Sequence, residues 1–184
     1  MPRTFISIDV NDEVLNSLKP VQEDLSDTGA DLKLIKPQNI HMTLRFLGDV
    51  SESRLGVVEE AIEGITHFEP FEINLEGLGV FPEPSYIRVV WAGVSKGSDN
   101  LCDIKESLES DLSDHGFSKD DKDFTPHFTI ARVKSGKAKD KLNAIVEEKS
   151  DEFFGSVDVD NVELRKSELT SEGPVYSTIS KFEF

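Results

Sequence analysis

Apolar and polar residues alternate along several short stretches of the chain, a spacing of two that is typical of β-strands. This alternation, with runs of β-branched and aromatic residues, predicts eight strands: 3–9, 32–35, 39–47, 71–80, 86–94, 127–133, 156–168 and 175–184. Elsewhere the apolar residues recur every three or four positions, which predicts amphipathic helices over about 12–26, 52–65, 98–115 and 138–149. Pro20 is predicted to kink or divide the first helix.

The order of these elements repeats at an offset of 86 residues. His41 and His127 are separated by this distance, Phe5 of the first predicted strand aligns with Trp91, and the first helix aligns with the third. Sequence identity between the halves is low, so the evidence is the order and spacing of the elements. We interpret the chain as a duplicated α+β unit that makes two similar lobes, and its length favours a single domain over residues 1–184.

Two of the aligned strands carry the same motif, His-x-Thr, as "HMTL" at 41–44 and "HFTI" at 127–130. Residues i and i+2 of a strand point to the same face, so His41 shares a face with Thr43, and His127 shares one with Thr129. One such motif is usually half-buried packing. Two of the four histidines of this chain occur in it, at matching points of a repeat, and this favours function. Two related lobes would bring both imidazoles and both hydroxyls together across a cleft.

A pair of histidines can split a phosphodiester without a metal. One neutral imidazole takes a proton from the attacking hydroxyl or water, and a protonated one gives a proton to the departing oxygen. Threonine hydroxyls and an arginine can hold the phosphate oxygens as charge develops on them. A metal site built on His41 and His127 is disfavoured, because no Asp, Glu or Cys stands at ligand spacing beside either residue.

Two arginines are candidates for phosphate contact. Arg45 stands two positions after Thr43, so strict alternation predicts that it shares the His41 face. Arg132 stands three positions after Thr129 and would need a bulge or a strand twist to face the cleft. Arg132 also opens a basic segment, 132–141 ("RVKSGKAKDK"), whose lysines fit a solvated helix start as well as they fit a binding surface.

The overall composition limits which binding partners and which cellular location we expect. A net charge of −16, from 36 acidic and 20 basic residues, usually argues against nucleic acid, although adaptation to high salt also produces acidic surfaces. An RNA substrate would therefore have to rely on a local site. The single cysteine, Cys102, excludes an intramolecular disulfide and is predicted to be a small core residue. No apolar run approaches the roughly 18 residues of a membrane span, and the start lacks a signal-peptide core, so a cytoplasmic location is expected.

The sequence resembles the 2H phosphoesterase superfamily, named for two His-x-Thr/Ser motifs, and within it the RNA 2',3'-cyclic phosphodiesterases, historically called 2'-5' RNA ligases. The resemblance covers nearly the whole chain. Five segments carry it: "RTFISIDV", "NIHMTLRFLGDV", "GLGVFPEPSYIRVVWAGV", "FTPHFTIARVK" and "ELTSEGPVYSTISKFEF". It implies a bilobal α+β fold, with two antiparallel sheets around a central pseudo-twofold cleft and helices on the outside.

The resemblance also implies roles. His41 would be the proton donor to the 3'-oxygen leaving group, and His127 the proton acceptor that activates water. Thr43 and Thr129 would hold the phosphate, and Arg132 matches the arginine of the second motif. No metal or other cofactor is implied. The substrates would be RNA 3' ends with a 2',3'-cyclic phosphate, transfer-RNA fragments among them, and the protein would act as a monomer.

One departure from the family pattern is Arg45, where a lysine is common. Two other functions stay open from the residues alone. One is hydrolysis of small cyclic nucleotides or 2'-5' oligonucleotides. The other is a non-catalytic module that binds RNA ends, which the intact His and Thr of both motifs disfavour.

Overall fold

The computed structural model describes residues 2–184, and within that range it contains nine strands, four α-helices and a short 3-10 helix. The strands are β1 (Arg3–Asp9), β2 (Leu32–Leu34), β3 (His41–Asp49), β4 (Phe71–Glu83), β5 (Tyr86–Val94), β6 (His127–Val133), β7 (Phe153–Val159), β8 (Asn161–Thr170) and β9 (Gly173–Glu183). The helices are α1 (Asp12–Asp27), α2 (Glu52–Glu63), α3 (Ser98–Asp114) and α4 (Lys139–Glu148), and the 3-10 helix spans Pro37–Asn39.

The strands form two antiparallel sheets. One has four strands in the order β3-β1-β8-β9, and the other has five in the order β2-β6-β5-β4-β7. A continuous apolar core contains residues of both sheets and of all four helices, as their amphipathic patterns require. The predicted α+β fold with two antiparallel sheets is confirmed.

The two lobes repeat as predicted, but neither is a contiguous half of the chain. The four-stranded sheet takes β8 and β9 from the C-terminal half, while the five-stranded sheet takes β2 and β4 from the N-terminal half. The helices also cross over. Helix α1 follows β1 yet packs on β7 of the other sheet, and α3 follows β5 yet packs against α2 and donates a side-chain hydrogen bond to Leu44 of β3. The lobes are therefore interleaved.

The predicted single strand at 156–168 is wrong, because two separate strands, β7 and β8, lie in this region on either side of Asp160. The two strands belong to different sheets. The apolar alternation runs through both of them, so periodicity alone does not mark the break between them.

Helix α1 continues through Pro20 as one helix, contrary to the predicted division. Proline removes the hydrogen bond to the carbonyl four residues earlier, here that of Asn16. Both residues are exposed, so water can satisfy that carbonyl.

Cys102 is exposed on α3, not buried as the sequence suggested. Leu101, Ile104 and Leu108 fill the buried face of the helix. Partial removal of the sulfur from water and the neighbouring charges of Asp99 and Asp103 raise the pKa of the thiol, so Cys102 is a weak nucleophile.

No helix within residues 2–184 has the length and the apolar character needed to cross a membrane.

Candidate active site

A cleft of about 860 Å³ lies between the sheets, and both His-x-Thr motifs line it. His41 is the first residue of β3, and His127 is the first residue of β6. Thr43 and Thr129 also line the cleft, whereas the alternate residues of both strands are buried in the core. Strand alternation therefore predicted the faces of these four residues correctly.

The imidazole rings of both histidines are held in the same way. The Nδ1 atom of His41 donates to the backbone carbonyl of Asn39 at 2.8 Å, and that of His127 donates to the carbonyl of Thr125 at 2.6 Å. Each acceptor lies two residues before its histidine, so this contact obeys the 86-residue repeat. A neutral ring protonated at Nδ1 keeps the lone pair at Nε2. That atom is then free for proton transfer, and in His41 it lies 2.9 Å from Thr43 Oγ1.

Aromatic rings enclose His41. Phe5 of β1 stacks on the imidazole with ring centroids 5.0 Å apart, and Tyr176 of β9 meets it edge-on at 5.2 Å. On the neighbouring strand β8, Arg165 forms an ion pair with Asp9 of β1 at 3.0 Å. This packing fixes the ring plane and excludes water from one side of it.

His127 packs in the equivalent way against the aromatic rings of Trp91 and Phe81. The Phe81 ring meets the imidazole edge-on at 4.9 Å, and the Trp91 ring lies 6.0 Å away. Trp91 is the repeat partner of Phe5, so the alignment of these two residues in the sequence was the signal for an aromatic support behind each histidine.

The pKa of His41 is lowered from 6.5 to about 4, chiefly because the ring is largely removed from water. The hydrogen bond to Asn39 opposes this shift. The positive charges of Arg165 and Arg132, and the second histidine, His127, lower the pKa further. His41 is therefore neutral in the free protein at pH 7.

The pKa of His127 is also lowered, by burial of its ring, and the hydrogen bond to Thr125 opposes the shift. Burial is thus the largest cause at both histidines, and the charges of Arg165 and Arg132 lower the pKa of His41 further. Both imidazoles are harder to protonate than a free histidine side chain.

Each His-x-Thr strand carries a β-bulge at the same place in the repeat. In β6 the register passes from Thr129 opposite Trp91 to Ala131 opposite Val90, so Ile130 is the extra residue. In β3, Thr43 and Arg45 lie opposite two consecutive residues of β1, so Leu44 is the extra residue. A bulge reverses the facing of the residues that follow it, as far as the next bulge in the strand.

The bulge in β6 turns Arg132 toward the cleft, which it lines together with His127 and Thr129. The bulge in β3 removes the basis for placing Arg45 on the His41 face. Instead Phe46, one position further on and 65% exposed, lines the cleft at the point equivalent to Arg132.

Arg45 also borders the cleft, but its guanidinium nitrogens are engaged with protein groups. Its Nε donates to Glu109 Oε1 at 2.6 Å, and the two other nitrogens donate to the carbonyls of Phe46 and Ser118. The face-based prediction that Arg45 meets a phosphate is therefore not favoured by the geometry.

Glu109 is the centre of a charged cluster that the sequence did not reveal. Lys105 Nζ donates to Glu109 Oε1 at 2.8 Å and to the carbonyl of Leu44 at 2.7 Å, and it reaches Asp120 at 3.4 Å. Burial would raise the pKa of Glu109, but the hydrogen bonds from Lys105 and the Asp120 amide, with the adjacent positive charges, lower it overall. The cluster fastens the 118–125 loop, which ends at the carbonyl that holds His127.

The remaining candidates lie away from the cleft. Of the basic segment 132–141, only Arg132 lines it. His115 ends α3 and bonds the carbonyl of Asp111, and His67 bonds that of Gly64. Across residues 2–184, no three His, Cys, Asp or Glu side chains are grouped as metal ligands would be.

The protein belongs to the family described as AKAP7 2'5' RNA ligase-like domain, which matches residues 2–184. The resemblance to 2H phosphoesterases is thereby confirmed.

Two full-length relatives carry the name RNA 2',3'-cyclic phosphodiesterase. The one from Methanothermobacter thermautotrophicus is 37% identical, covering 98% of this chain and 97% of its own length. The one from Archaeoglobus fulgidus is 39% identical, covering 98% and 99%.

Solved structures show the same fold. The Thermus thermophilus protein TT0787 superposes with a TM-score of 0.83 at 27% identity, covering 98% of this chain and 97% of its own. Escherichia coli LigT complexed with 3'-AMP superposes with a TM-score of 0.80 at 20% identity, covering 100% and 98%. At that identity the LigT comparison concerns the fold alone.

Proposed function

We propose that this protein hydrolyses terminal 2',3'-cyclic phosphates of RNA, transfer-RNA fragments among them, to 2'-phosphomonoesters. The observation that carries the proposal is the matched pair of histidines. Each is oriented through Nδ1 by a backbone carbonyl, and both line one cleft. The names of the full-length relatives agree with this reaction.

In the proposed step, water attacks the phosphorus atom and the bond from phosphorus to the 3'-oxygen breaks. His127 accepts the proton of the attacking water at Nε2, and His41 donates a proton to the departing 3'-oxygen. The products are a 2'-phosphate and a 3'-hydroxyl. With a 5'-hydroxyl of RNA in place of water, the same displacement joins two ends through a 2'-5' bond.

The phosphate contacts are assigned to Thr43, Thr129 and Arg132. The two hydroxyls stand one alternation past their histidines, and the bulge turns Arg132 to the same side. Donors held in place before the reaction stabilise the charge that develops on phosphate oxygens. We assign no phosphate contact to Arg45, because its nitrogens already serve Glu109, Phe46 and Ser118.

His41 can act as an acid only after it gains a proton. Its pKa of about 4 in the free protein leaves it neutral at pH 7. The anionic phosphodiester would offset the positive charges of Arg132 and Arg165 that help to lower this pKa, so substrate binding favours proton uptake at His41. The pKa of His127 is also lowered by burial, which favours the neutral ring that a base requires.

We also propose that the protein acts as a monomer, since both histidines, both threonines and Arg132 line one cleft of a single chain.

The direct test is product analysis on an oligonucleotide that ends in a 2',3'-cyclic phosphate, with EDTA present. We expect conversion to the 2'-phosphate. His41→Ala and His127→Ala should each lower kcat by about 10²–10⁴-fold or more, because each removes one proton-transfer partner.

His67→Ala is the matched control, since His67 lies outside the cleft and should leave turnover unchanged. Circular dichroism checks that each variant is folded. A 3'-phosphate product would overturn the assigned roles of the two histidines, and near-normal turnover by either cleft variant would overturn the two-histidine mechanism.

A further inference from the structure

The cleft is basic although the protein is strongly acidic. The chain carries a net charge of −16, yet six lysines and arginines line the cleft against three acidic residues. Two of the six, Arg45 and Lys105, are paired with Glu109. The other four make no ion pair within residues 2–184: Lys33, Lys36, Lys122 and Arg132.

Two of these unpaired cations stand directly opposite each other in the five-stranded sheet. Lys33 of the edge strand β2 is the cross-strand partner of Arg132 in β6, and both line the cleft. Like charges directly opposite on one face of a sheet are destabilising. No carboxylate lies within ion-pair distance of either one in the described chain, so a bound polyanion would relieve the repulsion.

Lys33 lies at the mouth of the cleft, one strand further out than Arg132, and neighbouring strands are about 4.8 Å apart. Its ammonium approaches the turn between β8 and β9: a Cβ atom built on Gly173 would be 3.3 Å from Lys33 Nζ. Asn39, which also lines the cleft, donates to the carbonyl of Pro174, the residue after Gly173, at 3.2 Å. Lys33 therefore lies between the edge of the five-stranded sheet and the start of β9 in the four-stranded sheet.

The charges of the lining favour the β2 side over the loop side of the cleft. On the loop before β6, Lys122 is flanked by Asp120 and Asp123, and Lys105 already pairs with Asp120, so this side offers no excess of positive charge. The β2 side has Lys33 and Lys36 against Glu172. A polyanion would therefore leave along β2.

We propose that Lys33, assisted by Lys36, binds the phosphate on the 5' side of the terminal nucleotide, so that the substrate class is an oligonucleotide and not a free cyclic mononucleotide. This rests on the proposed hydrolysis of cyclic phosphate ends, with Arg132 at the reacting phosphate. A nucleoside 2',3'-cyclic phosphate has no 5'-phosphate and gains nothing from Lys33.

The test compares kcat/KM on an oligonucleotide ending in a 2',3'-cyclic phosphate with kcat/KM on the matching nucleoside 2',3'-cyclic phosphate. Lys33→Met should lower the value for the oligonucleotide about tenfold, as expected for one charge-assisted contact, and leave the nucleoside unchanged. The slope of log affinity against log salt for the oligonucleotide should become shallower by about 0.7. Lys33→Glu should have a larger effect in the same direction.

Lys141→Met is the matched control, because Lys141 is an exposed lysine of α4 outside the cleft and its loss changes the net charge equally. Equal losses on both substrates, or no loss on the oligonucleotide, would overturn the proposal.

Binding of a labelled oligonucleotide 2'-phosphate, followed by fluorescence anisotropy, separates this inference from the proposed function. If the wild-type protein turned over neither substrate, the proposed function would fail. Weaker oligonucleotide binding by Lys33→Met would then still support the phosphate contact, and unchanged binding would reject it.

Discussion

His41 and His127 share one orienting contact, and the pKa of both rings is lowered. The same carbonyl contact orients both rings, so neither motif differs in its own backbone arrangement. Burial is the largest cause of the lowered pKa at both rings, and the charges of Arg165 and Arg132 lower the pKa of His41 further. These charges come from residues outside the motif that contains His41.

We predict that both histidines titrate below 6.5 in the free protein, with His41 near pH 4. Histidine side-chain NMR from about pH 3.5 to about pH 8 measures this directly. Adding a 2'-phosphomonoester should raise the pKa of His41, because the anion offsets the nearby positive charges. At constant pH, the chemical shifts of His67, which is outside the cleft, should stay the same when the ligand is added.

A free-state pKa of His41 near or above 6.5 would contradict the structural account of its environment. The sign of the linked stability follows from the lowered values. Since the folded state resists protonation of both rings, the free energy of unfolding should fall as the pH drops below about 6.5.

At the residue scale, the sequence predicted the faces of the two His-x-Thr pairs, because strict alternation holds from each His to its Thr. Strict alternation does not extend to Arg45, two positions later, because the bulge at Leu44 intervenes. A bulge is a property of the pairing between two strands, and the apolar pattern of one strand does not record it. Tyr176 and Lys33 were missed for a related reason, since distant pairings bring them to the cleft.

The support behind His127 depends on how closely two strands approach. Gly79 of β4 faces Trp91 of β5, and a Cβ atom there would overlap the indole ring. The backbone of Gly79 does not have a positive φ. Alanine would therefore be excluded by the indole and not by backbone strain.

Gly79→Ala should displace Trp91 and, through it, His127. We expect overpacking to lower the free energy of unfolding by about 1–3 kcal/mol and turnover to fall by about tenfold or more. Trp91 is the only tryptophan of the chain, so a shift in intrinsic fluorescence reports its movement.

Gly56→Ala in α2 is the control, because nothing lies within 4 Å of the added Cβ. It should stabilise the helix by up to about 1 kcal/mol and leave fluorescence and turnover unchanged. Unaltered fluorescence in the Gly79 variant would contradict the proposed packing role.

At the element scale, local periodicity predicted most helices and strands, including both histidine strands. It merged β7 with β8, because the alternation continues past Asp160 while the chain crosses from one sheet to the other. The repeat predicted which elements are equivalent. Their assignment to sheets depends on non-local hydrogen bonds, which no single segment encodes.

The interleaving of the lobes determines how the whole molecule unfolds. Each sheet uses strands from both halves of the chain, and α1 and α3 each pack across the boundary. We predict one cooperative transition in scanning calorimetry, with calorimetric and van't Hoff enthalpies that agree. Two separated transitions would contradict a shared core.

The net charge of −16 also predicts that added salt raises the Tm, because salt screens the repulsion between the acidic side chains.

The partnership of β1 with β8 has a consequence for the order in which the protein matures during synthesis. Arg3 pairs with Ser167, and His41 meets Tyr176 near the very end of the chain. The ribosome therefore releases both His-x-Thr motifs well before the surroundings of His41 exist. An unfinished chain would lack the aromatic packing of His41, so a nascent polypeptide should not open cyclic phosphates until β8 and β9 are free to pair.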